Sequence, residues 1–166
     1  QLAADDSDGS LDGLRERAFA VYLLTRQGTV TTNYLAAVQK RLDDRHTKVW
    51  RDDLAAGYIA ASLKLLKQDK EADALIAGPQ AVLTRSTIEN AYRFQAYSYY
   101  GPLVRDAGML YLIAKHFPER AKALPPAAVA NLLRPVQRGW YNTLSSAQTI
   151  LALDAYGAQA GADKLA

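Results

Sequence analysis

The chain has 166 residues, 49% of them hydrophobic and 22% charged, which suits one globular domain that buries roughly 70% of its unfolded surface. It contains no cysteine, which excludes disulfides, thiol nucleophiles and cysteine-ligated zinc within this segment. Lys and Arg number 20 against 17 acids, for a net charge of +3, yet no basic run reaches three residues, so a mixed solvated surface is expected and no nucleic-acid partner.

The first residue is Gln1 rather than Met, which predicts a piece of a longer polypeptide. No apolar stretch approaches the roughly 20 residues of a membrane span, so this segment is not expected to insert directly into a membrane. No signal peptide is present either, although one could lie upstream. Residues 1–13 read as an acidic, flexible lead-in. Its Asp5, Asp6 and Asp8 sit in a Gly/Ser-containing end, which favours a solvated tail over the metal-binding acid motif of prenyl-chain cyclases.

Residues 14–160 read as a single helical domain, and 161–166 as a frayed tail. Leu14, Ala18, Val21 and Tyr22 fall at helical spacing, and Gly28 offers a stop. "TVTTN" caps a second helix that places Tyr34, Leu35, Val38 and Leu42 on one face. Asp52 and Asp53 begin a third helix, and "KEADALIA" is a short fourth that ends at Gly78-Pro79. Residues 80–101 are β-branched and aromatic, and read as a long connection with one or two helical turns. Helical spacing resumes at Pro102, where proline suits a first turn. Pro135 should end or kink the later "AAVANLLRPVQRG" helix. A last helix lies within "WYNTLSSAQTILALDAYG", with Ser145 and Gln148 as a capping box.

Three stretches can be superposed on Ala18, Ala107 and Ala147, each with Tyr or Leu four positions later. The spacing is too uneven for a strict repeat. It fits stacked helical hairpins in a solenoid or a ring, and the expected fold class is all-α.

Two aspartates stand out. Asp154 falls near the middle of the arc formed by Ala147, Ile150, Leu151 and Leu153, and Asp106 shares a face with Leu103, Leu110, Ile113 and Phe117. A buried carboxylate without a partner costs several kcal/mol or becomes neutral. Asp106 and Asp154 are therefore expected to be buried structural carboxylates held by Arg, Tyr or helix-start N–H donors. The competing reading is a general acid/base pair in an α/α-toroid carbohydrate-active enzyme. Nothing in the sequence brings the two within catalytic reach, so no catalytic residue is assigned. A generic helical-repeat interaction scaffold is a third reading.

His46 and His116 lack metal-ligand spacing, and no phosphate or dinucleotide fingerprint is present. No metal and no cofactor are expected. The run Tyr92, Phe94, Tyr97, Tyr99, Tyr100 is the densest aromatic cluster. Burial in an irregular loop is its simpler reading; exposed, Tyr97, Tyr99 and Tyr100 would form a protein contact.

"YYGPLVRDAGMLYLIAKHFPERAKAL" together with "WYNTLSSAQTILALDAYG" resembles the later part of the thioester-type helical domain of bacterial alpha-2-macroglobulins. Ser145, Ser146, Ala147 and Gln148 stand where that family has an "S-T-Q"-like helix start. The resemblance covers roughly residues 14–160 and rests on helix wording rather than on a catalytic motif. It implies part of an α/α toroid, in a large periplasmic protein, often membrane-anchored, that inhibits proteases. A target protease cuts a bait segment and is then enclosed or covalently captured. The implied partners are target proteases, other domains of the same large chain and periplasmic partner proteins. Covalent capture in the family uses a C-x-E-Q thioester motif, which this segment does not contain; the wording is closer to the subclass without a thioester.

Overall fold

The computed structural model describes residues 9–85 and 100–160, and every element in them is helical. The helices are α1 (Leu11–Arg26), α2 (Thr32–His46), α3 (Leu54–Leu65), α4 (Asp69–Arg85), α5 (Pro102–His116), α6 (Pro118–Lys122), α7 (Pro126–Gln137) and α8 (Thr143–Ala160), with a 3-10 turn at Trp50–Asp52. The all-α class expected from the sequence is what the chain adopts. Its contacts group into two compact units, divided within α4 after Pro79.

In the first unit α1 packs against α3 and α2. α3 is small and apolar enough to be buried along nearly its whole length, from Leu54 through Leu63. Ser10 caps α1 by accepting from the Gly13 N–H. The helix stops as the sequence indicates: Gly28 takes φ +89°, and the Thr29 N–H returns to the Leu24 carbonyl. Thr31 occupies the N-cap of α2 without a capping bond; its hydroxyl instead lies 2.6 Å from that of Thr25. Asp53 caps α3 through the Ala55 N–H, as its position predicts.

The fourth helix does not end at Gly78-Pro79. α4 runs through the pair to Arg85, so the first part of the expected connection is helical; residues 86–99 lie outside those described. The glycine serves packing rather than termination. A Cβ on Gly78 would lie 2.1 Å from the Arg51 carbonyl oxygen, so only glycine allows α4 to cross the 3-10 turn this closely.

In the second unit α5 is the central helix, packed against α8, α6 and α7. Pro102 opens it, and Leu103, Val104 and every residue from Asp106 to Leu110 are buried. α7 passes Pro135 and ends two residues later; Gly139 at φ +72° and a bond from the Trp140 N–H to the Pro135 carbonyl close it. α8 starts earlier than the Ser145–Gln148 box implies. Asn142 is the cap: its Oδ1 accepts from the Ser145 N–H, and Ser145 Oγ accepts from the Asn142 N–H. The reciprocal box exists, shifted three residues toward the N-terminus.

Candidate functional site

Asp106 is fully buried in α5. The Arg105 guanidinium donates from Nε to its Oδ1 at 2.7 Å, and the arginine side chain remains 31% exposed. The pair thus joins a carboxylate in the core to a cation at the surface, which removes the cost of an uncompensated buried charge.

Asp154 lies elsewhere. It is exposed on α8, and among the described residues it makes no hydrogen bond or ion pair. The expectation that it is buried is wrong for this chain, and the cause is the orientation of α8. That helix turns Ser145, Thr149, Ala152 and Tyr156 toward the core, the two hydroxyl residues being 4% and 2% exposed. Thr149 meets its own polar need locally by donating to the Ser145 carbonyl at 2.7 Å. Small residues with locally satisfied hydroxyls let α5 and α8 approach, so the arc of Ala147, Ile150, Leu151 and Asp154 faces outward. Ile150 is 67% and Leu151 53% exposed.

One carboxylate is sealed in the core and the other projects from the outer face of α8, so no open cleft contains both. A general acid/base pair needs two groups on either side of one reacting bond. Asp106 and Asp154 do not supply that arrangement.

The first unit holds a charged pair that the sequence reading passed over. Arg15 reaches Asp53 with two parallel bonds, Nε to Oδ1 at 2.8 Å and Nη2 to Oδ2 at 2.7 Å. Both side chains are 10% exposed. The same Asp53 oxygen that caps α3 accepts from Arg15, so one carboxylate fixes the start of α3 and ties it to α1. A signal was available: Arg15 lies at i−3 and i−7 from the core residues Ala18 and Tyr22, within the apolar arc of its helix.

A shallow groove of about 420 Å³ in the first unit is lined by Gln39, Trp50, Arg51, Leu63, Glu71 and Gly78, among others. Its arginine is engaged already. The Arg51 guanidinium stacks 4.6 Å from the Trp50 ring centre and bonds Asp43 at 2.9 Å, and Trp50 Nε1 donates to the same Asp43 oxygen.

His46 lies 2.8 Å from the Gly9 carbonyl oxygen and ties the start of the chain to the end of α2. Among the described residues no group of three His, Cys, Asp or Glu is placed to hold a metal ion, and no helix is long and apolar enough to cross a membrane. Tyr100 is half-buried, whereas Tyr97 and Tyr99 lie outside the described residues.

The described residues therefore present no reactive constellation; their most distinctive surface is the apolar outer face of α8. The chain is 45% identical over 163 residues to an alpha-2-macroglobulin homolog of Yersinia pestis, a match covering 98% of the chain. It is 41% identical over 153 residues to an alpha-2-macroglobulin of Rickettsia conorii and 35% identical over 151 residues to one of Pasteurella multocida, covering 92% and 90% of the chain. In each case the chain spans only 8% of the relative's length. No family model matches the chain, and no solved structure matches it.

Proposed function

This chain belongs to the bacterial alpha-2-macroglobulin family, and we propose from that premise that it is a helical, non-catalytic segment of a large protease-trapping inhibitor. The observation that carries the reading is identity of 35% to 45% along 90% to 98% of the chain. In this reading the segment forms part of an α/α toroid within a periplasmic protein, anchored to a membrane, if at all, by another part of the polypeptide. A target protease cuts a bait elsewhere in the chain, and the trap then rearranges around it. The segment holds no C-x-E-Q motif, so these residues take no covalent part in capture; their wording is closer to the subclass without a thioester, which would hold its target by enclosure, with other domains or periplasmic proteins as partners. Asp106 acts as an internal strut in this scheme.

The test uses the intact parent protein and a protease of broad specificity. Trapping predicts that the parent is cut at one region, after which the protease still cleaves small peptides but loses activity toward large proteins. A protease whose activity toward large proteins is unchanged by the cut parent overturns the reading.

A further inference from the structure

The net positive charge of the chain has a single source. Residues 120–153 contain Arg120, Lys122, Arg134 and Arg138 and no acid. The other 16 of the 20 Lys and Arg stand against all 17 acids, so outside this stretch the balance is slightly negative. Within it, Arg120 donates to Gln80 at 2.7 Å and Lys122 pairs with Glu119 at 2.8 Å. Arg134 and Arg138 belong to the other end of the stretch. Both are exposed, and at four residues apart they share one face where α7 finishes, Arg138 being its C-cap.

That face is not simply polar. Leu133 is 36% exposed beside Arg134, and Tyr141 is 45% exposed just past the turn at Gly139. Trp140, between the turn and Tyr141, is half-buried, with the Arg138 guanidinium 5.1 Å from its ring centre. The core side of α7 is filled by Ala128, Val129, Leu132 and Pro135, which leaves Leu133 on the arginine side. A helix C-terminus favours a cation by itself. It does not account for the apolar and aromatic neighbours, or for the lack of any acid in the sequence around the pair.

These residues suit an anionic boundary. Tyr and Trp join an apolar body to a polar tip and settle where lipid headgroups meet acyl chains, and arginine grips phosphate oxygens bidentately. An acidic peptide would satisfy the arginines. A lipid surface satisfies them together with the exposed Leu133 and Tyr141, and a turn between two helices can meet a plane without the groove that a peptide needs. Among the described residues no helix is long and apolar enough to cross a membrane, so such a contact is peripheral.

We propose that the corner between α7 and α8 (Leu133, Arg134, Arg138, Trp140 and Tyr141) adsorbs to an anionic phospholipid surface, with the two guanidinium groups on lipid phosphates and the aromatic pair at the headgroup boundary. The inference goes beyond protease trapping and does not depend on it.

The test uses the 166-residue chain and two kinds of vesicle, phosphatidylcholine alone and an equal mixture with phosphatidylglycerol, with binding read by co-flotation. The chain should float with the anionic vesicles and not with the neutral ones. Binding should fade as added salt shortens the Debye length from about 10 Å to about 3 Å. Each arginine near an anionic surface strengthens adsorption by about fivefold, so Arg134→Glu with Arg138→Glu should weaken it by about twentyfold or more. The control is Lys48→Glu with Lys70→Glu, at two exposed lysines of the first unit. Each pair of reversals lowers the net charge by four, from +3 to −1, yet only the control should keep most of the binding.

A second readout locates the contact. The chain has two tryptophans, and Trp50 is 1% exposed in the core. A blue shift of emission on anionic vesicles therefore reports Trp140 and should vanish in Trp140→Phe. No binding to the anionic vesicles, equal weakening by the two pairs of reversals, or binding without an emission shift would each overturn the proposal. So would binding and an emission shift that soluble polyglutamate reproduces without lipid, since the partner would then be an acidic protein.

Discussion

α5 and α8 are neighbours with similar sequence grammar, in which an alanine is followed four positions later by Tyr111 or Leu151, and an aspartate stands among aliphatic residues. Their surroundings are opposite. α5 is enclosed on almost every side, so Asp106 is in the core and is held by Arg105. α8 is enclosed on one side, and that side is the one with hydroxyls, so Asp154 and Leu151 are turned outward. An apolar arc in a sequence thus identifies a face that needs a partner, but it does not say whether the partner lies within the segment. The structure separates two kinds of apolar face, one buried within the segment and one open to solvent.

The contrast can be broken most sharply by equal deletions on the two helices. Leu110 is fully buried in α5, and Leu110→Ala should destabilise the 166-residue chain by about 4 kcal/mol, from lost burial and the cavity left behind. Urea unfolding measures this, and a loss below about 1 kcal/mol would mean that α5 is not the packed centre. The buried pair of the first unit extends the comparison. Asp53→Ala removes the α3 cap and two of the bonds to Arg15, which keeps its ion pair with Asp12, at a cost of about 2 kcal/mol. The same unfolding curve should then show the first unit melting ahead of the second.

The two aspartates come next. Asp106→Asn keeps the shape but weakens the bond to Arg105; with that arginine 31% exposed, solvent screening holds the loss to about 2 kcal/mol by thermal unfolding. Asp154→Asn should leave the midpoint of the 166-residue chain unchanged. Asn142→Ala removes the cap of α8 and should cost about 1 kcal/mol, whereas Gln148→Ala should not cost a cap. The smallest effect belongs to Leu151→Ala, under about 0.5 kcal/mol in the 166-residue chain, against the much larger loss for the same deletion at Leu110.

Much of the fold is legible in the sequence. Helical spacing, Pro102 at a helix start and Gly28 at a helix end locate most elements, since these signals act within a turn or two of the chain. Three features needed more than local spacing. Gly78-Pro79 reads as a terminator, yet the glycine is there because the Arg51 carbonyl passes close to it, a contact made by a residue 27 positions earlier in the chain. The start of α8 was misplaced because Asn142 and Ser145 can each fill a capping box, and the choice falls to the residue where the preceding chain turns. The orientation of α8 was misread because hydrophobicity favours burying Ile150 and Leu151, whereas close packing against α5 favours Ser145, Thr149 and Ala152. At the candidate site, the rule that singled out Asp106 and Asp154 applies equally to Arg15. Used on both signs of charge, it would have found the Arg15–Asp53 pair.

α5 is enclosed within this segment, whereas the outer face of α8 is open to solvent in it. Hydroxyl-radical footprinting of Leu110, Ile150 and Leu151 in the 166-residue chain tests this directly. The expected result is low oxidation of Leu110, with Ile150 and Leu151 oxidised readily. Ile150 and Leu151 spared in the chain as a monomer, or Leu110 oxidised as readily as they are, would contradict it.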